Sequence, residues 1–173
     1  MRHGFRTRGS AVELRLEAVE REALGDLLGQ LRAVLAVEDE ERATDPLAEL
    51  VGIEPTAERP DDPALLRLLP DAYADDVDAS ADFRRFTERS IRSEKVARCD
   101  AALRTLANPA DPGRIRMDTA DAAAWLGTLN DLRLVLGTRL GITQEDEDAG
   151  TQRPAVYDWL TWLQSTLVET LMP

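Results

Sequence analysis

Cys99 is the only thiol in the chain, and it stands one helical turn after the only lysine, Lys95, and two turns after Arg92. Cations at those spacings share a side of a helix with the sulfur, and they would lower its pKa and favour a reactive thiolate. With no second cysteine to close an internal loop, such a thiol could answer an oxidant only by small-molecule capping or by a disulfide to another chain. The competing reading comes from Val96 and Leu103, which flank Cys99 on the same stripe and make it a small buried hydrophobe. The stripe favours the inert reading.

The surrounding stretch, DFRRFTERSIRSEKVARCDAALRTL (Asp82 to Leu106), holds seven basic residues. On a helical wheel at about 100° per residue, Arg84, Arg85, Arg89, Arg92 and Lys95 cluster opposite Phe83, Phe86, Thr87, Ser90, Ala97 and Ala101. The basic half is expected to be exposed, and the continuation of its line, Val96, Cys99, Leu103 and Leu106, to be buried. Such a strip is either a solvated face neutralised by Glu88 and acidic loops or a docking strip for an acidic protein partner. Two further groups could do chemistry or make contacts. Asn130, Asp131 and Arg133 interrupt an apolar helix, as a buried polar network or as a small-molecule pocket with Arg133 and Arg139 as anion contacts. Trp159 and Trp162 sit on the flank of the last helix, where they either cover the core edge or anchor a protein contact such as a homodimer.

Other chemistries lack their parts. The sole histidine, His3, leaves no Ser-His-Asp or Cys-His arrangement and no histidine pair for zinc. There is no phosphate-binding glycine loop and no dinucleotide fingerprint. Asp146, Asp148 and Gly150 resemble a calcium loop, but the glycine comes one position early and no glutamate closes it. No catalytic residue, metal or cofactor is therefore expected, although converging carboxylates remain open as a catalytic device. A formal charge of -12 argues against general binding to nucleic acid or an anionic membrane. No apolar run approaches a bilayer span, and the opening MRHGFRTRGSAV lacks the apolar core of a secretory signal. A soluble cytoplasmic protein is expected. Arginine replaces lysine almost throughout, as in GC-rich genomes.

The elements that must position these residues are mostly helical. A chain of 173 residues suits one domain, and 43% hydrophobic with only 5% aromatic residues implies a Leu, Val and Ala core that favours helix. Val12, Leu14 and Leu16 alternate with Glu13 and Arg15, so a hairpin with Gly4 to Arg8 across Gly9-Ser10 is expected within residues 1–16. Helices are expected from about Glu17 to the acidic run Glu38–Glu41, from about Ser80 to Ala107, from about Thr119 to Leu140 and from about Pro154 to Leu171. The helix at 119–140 is apolar on more than one side and should be central. Residues 42–79 read as a proline-rich connector with short helical turns, one beginning at Pro46 and another around Leu65 to Leu69. The fold class is mainly α: an irregular bundle of about four main helices with a short N-terminal β-hairpin.

FRRFTERSIRSEKVARCDAALRTL (Phe83 to Leu106), WLGTLNDLRLVLGTRLGI (Trp125 to Ile142) and YDWLTWLQSTLVETL (Tyr157 to Leu171) resemble an actinobacterial family that carries a domain of unknown function. GSAVELRLEAVEREAL at the front adds weaker support, so the likeness spans nearly the whole chain. Its genes often neighbour that of the Clp-protease adaptor. The resemblance implies an α-helical cytoplasmic protein, with a sigma factor or the Clp-adaptor system as family-level partners. One relative is a redox-responsive transcriptional regulator acting with a stress sigma factor through a cysteine pair, which this chain lacks. The expected function is a non-enzymatic regulator or adaptor working through protein contacts. A small-molecule sensor with a pocket at Asn130, Asp131 and Arg133 is the alternative.

Overall fold

A computed structural model describes residues 4–36, 58–109, 111, 113–142 and 153–172. The expectations for His3, for the acidic runs at 38–41 and 144–150 and for a turn at Pro46 lie outside the described residues.

Strands β1 (Phe5–Arg8) and β2 (Ala11–Arg15) form the expected hairpin, with Phe5 opposite Leu14 and Arg8 opposite Ala11. Gly9 turns the chain at φ 63°, a conformation that glycine reaches without steric cost. Helix α1 (Ala18–Ala36) follows, then the short α2 (Pro63–Leu68), whose Asp62 side chain caps it by accepting from Ala64 N at 2.9 Å. The long α3 (Val77–Ala107) is capped by Asp76, which accepts from Ala79 N. A third strand, β3 (Arg114–Met117), was not expected; it pairs antiparallel with the free edge of β2, giving the order β1-β2-β3. Gly113 sets up this return at φ 76°, where its carbonyl accepts from Leu16 N and a Cβ would stand 2.8 Å from Leu16 O. Helices α4 (Thr119–Arg139) and α5 (Ala155–Leu171) complete the mainly α architecture.

One sheet face, carrying Phe5, Val12, Leu14, Ile115 and Met117, joins Leu24, Leu28, Leu31 and Leu35 of α1 and the leucines of α5 in one apolar core. Helix α4 packs against α1, α2, α3 and α5 and touches two strands, which explains its weak amphipathicity. Trp125, Leu129 and Leu132 are its buried anchors, whereas Leu136 is only half-buried and Leu140 is exposed.

Candidate regulatory site

The N-terminal half of α3 is inside out relative to the sequence expectation. Arg84 and Arg92 are buried, while Phe83, Phe86 and Ile91 are exposed. The reason lies in three residues four apart. Glu88 accepts from Arg84 Nη1 through Oε2 and from Arg92 Nη2 through Oε1, both at 2.8 Å, so one carboxylate joins two guanidinium groups along one stripe. Each arginine also satisfies backbone that would otherwise be orphaned. Arg84 Nη1 donates to Leu69 O at 3.2 Å and its Nη2 to Asp71 Oδ1 at 2.8 Å, holding the segment after α2; Arg92 Nη1 donates to Leu35 O at 3.0 Å, at the end of α1. Burial pushes the Glu88 carboxyl up, but the bonds from Arg84 and Arg92 outweigh it and hold it below the usual glutamate range. The expected docking strip is thus corrected for Arg84 and Arg92, which are structural. Arg85 and Arg89 are half-buried.

Lys95 is engaged as well. Its Nζ donates to Asp131 Oδ1 at 2.7 Å, and Arg98 Nη2 reaches Asp131 Oδ2 at 3.4 Å, tying α3 to α4 through a buried carboxylate. The expected pocket at Asn130, Asp131 and Arg133 does not assemble, because consecutive helical positions point to different sides. Asn130 is exposed. Arg133 faces α5, where it donates to Thr161 Oγ1 at 3.0 Å and Gln164 Oε1 at 2.7 Å and lies 5.3 Å over the Tyr157 ring. Arg139 donates instead to Asp62 at the head of α2. Asp131, Arg133 and Arg139 thus brace α4 against α3, α5 and the head of α2 respectively.

Cys99 is wholly buried, and its thiol donates to Leu28 O at 3.4 Å. Burial, seconded by the Asp100 carboxylate and opposed by Arg32, pushes its pKa up to about 11. Lys95 and Arg92 do not activate it, because each is committed to a carboxylate elsewhere. A thiol reagent at neutral pH is therefore expected to label the folded protein slowly and the urea-unfolded protein fast. Rapid native labelling that Cys99→Ser removes would show that the sulfur is reached through an opening of α1 from α3.

Trp159 and Trp162 are both half-buried and packed on the core, and Trp162 closes over Gly4, where a Cβ would meet its ring at 3.0 Å. Here they cover the core edge. The sequence reasoning missed the apolar surface formed by Tyr73, Val77, Phe83, Phe86 and Ile91, all exposed. Part of it rims a cavity of about 220 Å³ between α3 and Leu69–Ala72, whose floor is the Arg84–Glu88 pair. The signal was present in Arg84-Glu88-Arg92: an opposite charge at i+4 in both directions marks a self-satisfied ladder. Among the described residues no group of three His, Cys, Asp or Glu side chains could hold a metal ion.

Comparison with known proteins adds lineage to this geometry. The family described as a domain of unknown function (DUF2017) matches residues 1–171. Proteins named oxidative stress regulator AosR, from Mycobacterium tuberculosis (strain ATCC 25618 / H37Rv) and Mycobacterium bovis, are each 36% identical over 173 residues, covering 88% of this chain and 78% of their own. A relative from Mycobacterium leprae is 37% identical over 172 residues, covering 86% of this chain and 77% of its own. No solved structure matches.

Proposed function

The chain belongs to the DUF2017 family, and from that premise we propose that it is a stress-linked regulatory protein that works by contacting other proteins rather than by catalysis. One observation carries this reading: the likeness to proteins named oxidative stress regulators extends over 88% of the chain. The exposed Phe83 and Ile91, which rim the cavity beside Leu69–Ala72, and Tyr73, edge-on to Phe83, support a contact mechanism, because exposed apolar side chains gathered at a cleft suit an interaction site. The buried thiol bears on how stress is received. A single cysteine cannot form an internal disulfide, and this one is shielded and protonated, so the oxidant signal reaches the protein through its partner or its abundance.

Deleting the gene in its own organism and challenging with peroxide is the direct test. The expected result is an altered oxidant-response transcript profile and altered survival, restored by the wild-type chain and by Cys99→Ala, but not by Phe83→Ser with Phe86→Ser. Unchanged transcripts and survival would refute the regulatory reading. Failure of Cys99→Ala to complement, with the protein present at normal levels, would return the sensing role to the thiol.

A further inference from the structure

The three-stranded sheet has a second face. Its register places Arg6, Glu13 and Arg116 in one row across the strands, sets Arg15 directly opposite Arg114 in the next, and puts Arg8 beside Ala11 on the other side. Partnered residues share a face, so five arginines project from the side away from the core, where Ile115 and Met117 are buried and Arg114 and Arg116 exposed. The strands contain one carboxylate, Glu13, and it is only 6% exposed and taken up by Arg6 at 3.5 Å. Among the described residues, Arg8, Arg15, Arg114 and Arg116 have no ion-pair partner. Like charges directly opposite one another destabilise a sheet, and the Arg15–Arg114 pair incurs that cost in a chain with 33 acidic residues to draw on. The general preference of this sequence for arginine over lysine explains the residue type. It does not explain the placement.

We infer that this outward face of β1, β2 and β3 is a docking face for an Asp- and Glu-rich segment of a partner protein. The inference rests on the protein-contact reading above and supplies the chemistry of the partner. Strands lie about 4.8 Å apart and alternate residues about 7 Å apart, so the arginines cover a patch of roughly 10 by 14 Å. That area suits a few carboxylates of one extended segment, each able to take two parallel bonds from a guanidinium fork. A nucleic-acid duplex suits it less well. Beyond the patch the phosphates would run along a protein whose net charge is -12, and few contacts would remain to offset the repulsion.

The face is tested with the full chain and two fluorescent probes read by anisotropy: a 14-residue peptide of Glu and Asp spaced by Gly and Ser, and a 20-base-pair duplex. The peptide is expected to bind, to weaken as salt shortens the screening length, and to lose about tenfold or more in affinity to Arg15→Glu with Arg116→Glu. Arg32→Glu with Arg67→Glu, on α1 and α2, matches the charge change away from the sheet and should retain binding. Should the sheet variant fail to fold, Arg15→Gln with Arg116→Gln replaces it, with the same direction and a smaller loss. No binding by wild type, equal losses in both variants, or tighter binding of the duplex would overturn the inference. So would a salt-sensitive homodimer abolished by Arg15→Glu with Arg116→Glu, since the occupant would then be a second copy. The peroxide phenotype does not depend on these probes, so it stands or falls separately.

Discussion

Glu88→Ala is expected to cost about 3–5 kcal/mol in urea unfolding at neutral pH, the range for removing one partner from a buried ion pair. The size follows from what remains. Glu88 is 2% exposed and binds two guanidinium groups that are themselves only about 5% exposed, so its loss leaves Arg84 with Asp71 and takes from Arg92 the carboxylate it meets at 2.8 Å, both away from water. Arg84→Met with Glu88→Leu and Arg92→Met should recover much of the loss, because no charge is then left unmatched. The recovery is incomplete, since the Leu35 and Leu69 carbonyls lose their donors. A near-neutral Glu88→Ala would mean that water reaches the ladder and that it contributes little.

The same ladder gives stability an acid limit. The bonds from Arg84 and Arg92 overcome the upward push of burial and lower the Glu88 pKa, and Asp71 is lowered by Arg59 first and Arg84 second. The unfolded chain therefore binds these protons at higher pH than the folded one. Their contribution is fully present above the ordinary carboxylate pKa of about 4 and is lost as pH falls through the depressed folded values. In Arg84→Met with Glu88→Leu and Arg92→Met this part of the acid sensitivity should shrink.

Element boundaries were legible where local signals were read: Pro109 follows the end of α3, α4 begins at the expected Thr119, and alternation marks β2, whereas α3 begins at Val77 behind its Asp76 cap, three residues before the expected Ser80. Faces were legible where apolar residues outnumber the alternatives, as along Leu160, Leu163 and Leu167. Apolar periodicity assigns Phe83 and Phe86 of α3 inward, whereas the distant Leu69 and Leu35 carbonyls take their donors from Arg84 and Arg92 and draw those side chains in. The carbonyls lie outside the segment, and within it only the i+4 spacing of Arg84, Glu88 and Arg92 points to the ladder. Strand β3 was missed for a related reason: Arg-Ile-Arg-Met is too short to signal alone, and its partner β2 lies about a hundred residues earlier. Without β3 the arginines of the sheet look scattered. The register that gathers them onto one face is a property of the pairing.

Trp125→Ala should be the most damaging single truncation in α4, at about 3–5 kcal/mol. Trp125 is wholly buried, its ring meets Phe5 of β1 edge-on at 5.9 Å, and its Nε1–H donates to Thr105 Oγ1 of α3 at 2.7 Å. One side chain therefore joins the sheet to two helices, and its removal leaves a cavity between elements that cannot all close on it. Trp125→Phe separates packing from the polar bond. It keeps an aromatic ring against Phe5 and leaves Thr105 still donating to Ala102 O at 2.9 Å, so only an acceptor is left unpaired. That variant should lose about 1 kcal/mol for the bond, plus a smaller packing deficit. Equal losses for Trp125→Phe and Trp125→Ala would place the weight on the indole N–H. A loss under about 1 kcal/mol for Trp125→Ala would mean that the sheet and α3 repack without it, since a rigid cavity of that size would cost several times more.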